Sequence, residues 1–232
     1  MMPTVVILAG GLAVRLGVLT KNIPKSLIEL EGRPFIRHQL EILKKNDVKR
    51  VVICLGYLGE MIQDYIHTQD SLGLEIEFSF EGPNLLGTAG AIKKACALLE
   101  KNFAVMYGDS YLTEDFRPAA KTFAQSDKKA LMTVLKNEGR WGPSNILFSD
   151  EQIITYDKND HVTPMKHIDY GFLFFKKQAF ERIADDQVYD LAILCQELIK
   201  EHQMAAYEVH QRFYEIGSVE GLQETRSYLR GH

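Results

Sequence analysis

Two glycines and two cations stand where a polyphosphate could be held. Gly10-Gly11 close a short apolar run, Arg15 follows, and Lys25 adds a second positive charge further on. Glycines let backbone N–H groups approach phosphate oxygens closely. Arg15 offers a bidentate fork and Lys25 a point charge, so together they could hold a triphosphate. Taken alone, Gly10-Gly11 also fits a plain tight turn after a strand. The spacing matches neither G-x-x-x-x-G-K-[ST] nor a G-x-G-x-x-G opening a helix, which argues against a P-loop kinase and a dinucleotide oxidoreductase.

Such residues need a scaffold. Thr4 to Ala9 is a continuous β-branched run of the kind buried on both faces of a parallel sheet. Pro34 can open a helix in which Ile36, Leu40 and Leu43 share one face, and Arg50 to Leu55 makes a second buried strand. Gly59 to Ile66 reads as a helix, Leu74 to Phe80 as a strand, Thr88 to Leu99 as a helix with Thr88 as N-cap, and Phe103 to Tyr107 as a fourth strand. Strands alternating with helices predict an α/β, doubly wound sheet whose ligands bind beyond the carboxyl ends of the strands. After Asp109 the rhythm changes. Ala130 to Lys136, Asn145 to Phe148, Gln152 to Tyr156 and Gly171 to Phe175 are strands with little helix between them, which predicts a mixed or antiparallel extension. A helix from Asp190 to Glu201, strands at Ala205 to Val209 and Phe213 to Ile216, and a helix from Ser218 to Leu229 complete the chain.

The 232 residues, 46% apolar and 25% charged, suffice for one substantial core, and no linker or repeat marks a boundary. A net charge of -4 supplies no general field for nucleic acid or an anionic membrane. Cys54, Cys96 and Cys195 are far apart inside apolar runs, which disfavours zinc and disulfides and suits a reducing cytoplasm. Neither an export signal nor a membrane span is expected. The seven histidines are scattered; His38 is expected at the surface, and none is given a role.

The whole segment Ala9-Gly10-Gly11-Leu12-Ala13-Val14-Arg15-Leu16, with Leu19-Thr20, Ile23-Pro24-Lys25-Ser26-Leu27 and Gly32-Arg33-Pro34, resembles the signature of sugar-phosphate nucleotidyltransferases, A-G-G-x-G-T-R-L-x-P-L-T-x-x-x-P-K-x-L followed by G-[KR]-P. It looks most similar to the short bacterial branch that includes D-glycero-D-manno-heptose 1-phosphate guanylyltransferase and N-acetylmuramate 1-phosphate uridylyltransferase. The resemblance implies a Rossmann-like, mainly parallel sheet of the nucleotide-diphospho-sugar transferase type in a single domain. Its nucleotide-binding part would be about 1–110, and its sugar-binding part, with the small antiparallel extension, about 111–232. Leu8, Ala9, Gly10, Gly11, Arg15 and Lys25 would line the nucleotide site. Ala13, Val14 and Gly17-Val18 depart from the pattern, removing a glycine and a hydroxyl from the loop.

Tyr107-Gly108-Asp109 resembles the family's G-D element, whose aspartate binds Mg2+, and Glu215-Ile216-Gly217 stands in place of its D-x-G. Hard Mg2+ needs carboxylate oxygens, so Asp109 and Glu215 are the expected ligands. Asp157-Lys158 resembles the E-K pair that holds sugar hydroxyls and the sugar phosphate, with Lys166 a rival to Lys158. Asp169-Tyr170-Gly171 stands at the N-A-G beside the sugar, and Asn145 is a further candidate contact. The segment from Phe80 to Gly90 resembles the element ending in G-T-[AG]-G, which places Glu81, Gly87 and Thr88 beside the base. A Glu81 carboxylate would accept from guanine N1–H and N2–H2, which favours GTP over UTP.

The resemblance implies that a sugar 1-phosphate oxygen attacks the α-phosphorus of the nucleoside triphosphate. Mg2+ would neutralise charge, Arg15 and Lys25 would stabilise departing pyrophosphate, and Lys158 would position the nucleophile. A phosphate nucleophile needs no general base. Three alternatives stay open: uridylyl or cytidylyl transfer to another sugar phosphate, transfer to choline phosphate, and a lapsed sensor of nucleotide sugars. A homodimer is compatible with the sequence, and the expected products are precursors of lipopolysaccharide, capsule or related glycans.

Overall fold

The computed structural model describes residues 2–11, 16–17, 20–160 and 162–231. Arg15, with the departures Ala13 and Val14, lies outside the described residues. In chain order the strands are β1 (Thr4–Leu8), β2 (Glu29–Leu30), β3 (Arg33–Pro34), β4 (Arg50–Leu55), β5 (Glu75–Phe80), β6 (Asn102–Tyr107), β7 (Ser110–Leu112), β8 (Ala130–Lys136), β9 (Ile146–Ser149), β10 (Gln152–Tyr156), β11 (His167–Lys176), β12 (Met204–Val209) and β13 (Phe213–Glu215). The helices are α1 (Phe35–Lys45), α2 (Gly59–His67), α3 (Gly87–Ala95), α4 (Arg117–Gln125), α5 (Leu191–Lys200) and α6 (Val219–Arg230).

β5, β4, β1 and β6 lie side by side and parallel. β11 then runs antiparallel to β6 and to β8, β12 adds parallel to β8, and the β9–β10 hairpin joins β11 at His167. The sheet is therefore mixed and mainly parallel on the nucleotide side, with the expected antiparallel extension.

Alternation along the strands explains why both faces are covered. Val5, Ile7, Val51, Ile53 and Leu55 point into one core with Ile36, Leu40 and Leu43 of α1 and Ile62 of α2. Val6, Val52 and Cys54 point into the other, against Ala91 and Ile92 of α3 and Leu191 and Leu194 of α5. A period-two strand with apolar residues on both phases has no solvent face, so helices must pack on each side.

Local chemistry sets the ends of several elements. The Asp190 carboxylate accepts from Ala192 N–H to cap α5, and the Ser218 hydroxyl accepts from Gly221 N–H to cap α6. Thr88 does not cap α3. That helix begins at Gly87 with Leu86 at its N-cap, and the Thr88 hydroxyl accepts the Leu191 N–H at 2.7 Å, tying α3 to the start of α5. His38 is not at the surface either: its ring is buried and its Nε2 lies 2.9 Å from the Leu30 carbonyl, which satisfies it inside. α4, a helix beyond those expected from the sequence, buries only Ala119 and Phe123, one turn apart on a single face. The three cysteines are unpaired. Among the described residues no helix is long and apolar enough to cross a membrane.

Candidate active site

The carboxyl ends of β1, β4 and β6 open onto a cavity of about 310 Å³. Leu8, Ala9, Gly10, Gly11, Lys25, Glu81, Gly87, Thr88, Asp109 and Lys158 all line it. Every described residue expected at the nucleotide is thus brought to one place. Cys54, Leu85 and Tyr107 also contribute walls. Tyr107 and Leu85 lie inside the motifs quoted above without an expected role, and Cys54 arrives through the register of β4 beside β1.

Backbone proximity explains two of the glycines. A Cβ on Gly108 would stand 2.1 Å from the Leu8 carbonyl oxygen, and the Gly108 N–H donates to that same oxygen at 3.1 Å. The β6 end can therefore continue the β1 ladder only without a side chain. At Gly10 a Cβ would meet Glu81 Oε1 at 2.2 Å, so the missing side chain leaves room for the carboxylate.

Lys25 sits at the start of a 3-10 turn, Lys25–Leu27, that follows Pro24. Its Nζ reaches Asp109 Oδ2 at 2.8 Å, with both side chains partly buried. The other Asp109 oxygen lies 3.4 Å from the Ser110 hydroxyl. Motifs 84 positions apart thereby form one charged pair at the cavity floor. Glu81 closes another part of the wall. Its Oε2 accepts from Leu86 N–H at 2.6 Å, while Oε1 faces Gly10 and Gly56. Burial pushes the Glu81 carboxyl up from its ordinary value, with the Leu86 N–H and the Lys94 charge acting the other way.

The far side of the cavity is built from side chains. Lys158 Nζ lies 5.3 Å from the Tyr107 ring centre and 5.7 Å from that of Tyr156. Both tyrosine hydroxyls donate to Asp169 Oδ2, at 2.9 and 3.0 Å, and Asp169 Oδ1 accepts from Gly171 N–H. Burial, followed by the Asp169 charge, holds both tyrosines well above their ordinary pKa, so they are donors here. Lys166 does not line the cavity, and its carbonyl accepts from Asn137 and Glu138 N–H instead.

The remaining sugar-side candidates are placed differently. Asn145 Oδ1 accepts from Asp169 N–H and its carbonyl accepts from Asp157 N–H, so it joins the two segments. The Asp157 carboxylate turns back to its own loop, accepting from Asn159 N–H. Tyr170 is buried in the core on the α1 side, and its hydroxyl accepts from Thr113 and Glu114 N–H. None of these three, nor Asp169, is among the residues lining the cavity.

Glu215 approaches Asp109 through the backbone. It pairs with Ser110 across β7 and β13, and Ile216 N–H donates to the Asp109 carbonyl at 2.9 Å. The Glu215 carboxylate accepts from Gly217 N–H and from the Ser218 hydroxyl at the start of α6. Each of its oxygens keeps a second lone pair. Asp109 lines the cavity and Glu215 does not: the Glu215 carboxylate is packed against Gly221 and Ser218 of the α6 start, while that of Asp109 meets Lys25.

Residues 4–230 match the family profile described as nucleotidyl transferase. The chain is 29% identical over 214 residues to D-glycero-alpha-D-manno-heptose 1-phosphate guanylyltransferase of Campylobacter jejuni, covering 91% of this chain and 93% of that protein. It is 26% identical over 206 residues to UTP--glucose-1-phosphate uridylyltransferase of Synechocystis sp., covering 80% of this chain but 52% of that longer protein. Among solved structures, HddC from Yersinia pseudotuberculosis complexed with GMP-PN has the same fold, with a TM-score of 0.82 at 24% identity over 98% of this chain and 100% of that one. The chain belongs to the nucleotidyl transferase family, which is where the residues from Ala9 to Pro34 pointed.

Proposed function

We propose that this protein transfers a guanylyl group from GTP to a heptose or hexose 1-phosphate, releasing pyrophosphate and leaving a nucleotide-activated sugar for a surface glycan such as lipopolysaccharide or capsule. The observation that carries the reading is the Lys25–Asp109 pair on the floor of a cavity that also holds Gly10-Gly11, Glu81 and Lys158. Guanylyltransferase relatives of similar length support the choice of base and acceptor.

In this reading the backbone of Gly10-Gly11, with Lys25, holds the triphosphate, and the Arg15 guanidinium adds charge. Glu81 Oε1 accepts from the guanine edge, because Oε2 is already engaged by Leu86 N–H. An oxygen of the sugar phosphate attacks the α-phosphorus, a new P–O bond forms, and the bond to the β-phosphate bridge breaks to release pyrophosphate. Asp109 and Glu215 are the residues that would hold Mg2+, which when bound would supply Lewis-acid charge neutralisation on the phosphates. Lys25 stabilises charge on the leaving group, and Lys158 orients the attacking phosphate.

The acceptor is an anion. The Tyr107 and Tyr156 rings could otherwise take a quaternary ammonium, but they already face the Lys158 ammonium. That arrangement favours a sugar phosphate whose anionic group meets Lys158 over choline phosphate seated by its cation. We further propose a single cytoplasmic domain, with the nucleotide handled by about 1–110 and the sugar by about 111–232.

The test is pyrophosphate release in Mg2+ from each nucleoside triphosphate against hexose and heptose 1-phosphates and choline phosphate, with Asp109→Ala as control. Release from GTP with one sugar 1-phosphate, lost in the variant, is the expected result. Nucleotide binding with no release from any pair would overturn the reading in favour of a sensor.

A further inference from the structure

One buried polar side chain beside the site has no part in the chemistry above. Gln39 lies in the middle of α1, with no solvent exposure, among Ile36, Leu40 and Leu43 on the face that packs on the sheet. Its amide nitrogen donates two hydrogen bonds, to the Tyr107 carbonyl at 3.0 Å and to the Ser110 carbonyl at 2.9 Å. These two carbonyls flank Gly108 and Asp109, so one –NH2 group bridges the turn between β6 and β7 that carries the Asp109 carboxylate.

The arrangement is selective for an amide. Two N–H donors on one atom match two carbonyl acceptors, whereas a carboxylate would set negative charge against both and an aliphatic chain would leave both unpaired. The amide also carries a penalty: Gln39 Oε1 is buried with no hydrogen-bond partner among the described residues. A side chain kept for packing alone would avoid that orphaned acceptor. The rest of the turn is fixed by backbone contacts, with Gly108 N–H on the Leu8 carbonyl and the Asp109 carbonyl under Ile216 N–H. Gln39 is the side chain that ties this turn to the helix layer.

We infer that Gln39 is a positioning residue for the reaction: by clamping the Tyr107 and Ser110 carbonyls from α1, it fixes the Asp109 carboxylate for the divalent cation and for Lys25. The inference rests on the proposed role of Asp109, and its consequence is specific. Loosening the clamp weakens cation binding at Asp109 and slows turnover while nucleotide affinity is largely kept, because the Gly10-Gly11, Glu81 and Thr88 walls of the cavity stand on other elements.

The experiment compares wild type, Gln39→Met and Leu40→Ala, the last a packing control one residue along the same helix and outside the site. Mn2+ is titrated with and without the α,β-methylene analogue of GTP and followed by water proton relaxation, alongside nucleotide affinity, Mg2+-dependent pyrophosphate release and melting temperature. Gln39→Met is expected to stay folded, to weaken Mn2+ binding and raise the Mg2+ needed for half-maximal rate at least tenfold, and to change nucleotide affinity less than twofold. Leu40→Ala is expected to melt earlier and keep wild-type cation affinity. Equal cation affinity in Gln39→Met and wild type would overturn the inference. So would a parallel cation defect in Leu40→Ala, or failure of Gln39→Met to fold, since each makes Gln39 a packing residue. If wild type releases pyrophosphate from no substrate pair, the proposed reaction fails, and the Mn2+ titration still decides the role of Gln39.

Discussion

The two ends of the cavity are built by different means. At the phosphate end, the ends of parallel strands β1 and β6 meet so closely that Gly108 must lack a side chain, and Lys25 and Asp109 project from short turns beside them. At the acceptor end, Lys158 comes from the loop after β10 and rests over tyrosines from β6 and β10, whose hydroxyls converge on Asp169 of β11. The first end depends on backbone geometry and direct charge. The second depends on a relay of side chains, in which the buried acid acts at one remove from the cavity. A direct contact and a relayed one should fail differently when cut.

The largest expected effect lies at the direct end. Lys25→Met keeps the aliphatic stem and removes the charge paired with Asp109, so kcat should fall by about 10²–10³-fold, the range for losing one preorganised stabiliser of developing negative charge. Steady-state rates under saturating substrates measure it, and a loss below tenfold would mean that Lys25 is a structural partner of Asp109 rather than a phosphate ligand.

Cutting the relay should hurt stability as well as function. Asp169→Ala leaves two buried tyrosine hydroxyls without their acceptor, at a cost of about 1–3 kcal/mol for a buried group left unsatisfied. Denaturant unfolding reads that loss. Because Lys158 then loses its ordered platform, the KM for the sugar phosphate should rise roughly tenfold, about 1.4 kcal/mol, with the KM for nucleotide unchanged. A rise in the nucleotide KM instead would place the relay at the wrong end of the cavity.

The smallest effect is a pH dependence at Glu81. Burial raises its carboxyl above the ordinary value, so between the unfolded and folded values the native state binds more protons and stability falls as pH rises. The penalty is absent below the unfolded value and fully present above the folded one. Glu81→Gln should therefore melt slightly higher than wild type at pH 7, with the gap closing as the pH drops below the ordinary glutamate range. Guanine recognition uses the ionised acid, so the KM for GTP should climb as the pH falls through the raised value, and that climb should vanish in Glu81→Gln. A flat profile in wild type would remove Glu81 from base recognition.

The same contrast explains what was legible beforehand. Gly10, Lys25, Glu81, Thr88 and Asp109 belong to motifs at which the proposed reaction would require direct contact with phosphate, metal or base, and all five line the cavity. Of the residues expected beside the sugar, Lys158 is the one that lines the cavity. Asp169 and Tyr170 were expected beside the sugar as neighbours in one motif, yet a strand sends successive side chains to opposite faces. Asp169 accepts from the two tyrosines beneath Lys158, and Tyr170 is buried in the opposite core. Asn145 and Asp157 serve the backbone and turns around them. Gln39 was invisible because a single polar residue on an amphipathic helix carries no period of its own.

By itself the sequence determined the doubly wound frame, since apolar residues on both phases of β1 and β4 leave no face for water. It also marked Gly10, Gly11, Lys25, Glu81, Thr88 and Asp109, which all line one cavity, because their motifs fix residue types at set spacing. Only the tertiary structure decided which lysine lines the cavity, that Tyr107 and Tyr156 both donate to Asp169, and that an amide on α1 bridges the Asp109 turn. Those contacts join positions far apart in the chain through strand register and helix packing, and local residue preference contains no term for the partner that folding brings alongside.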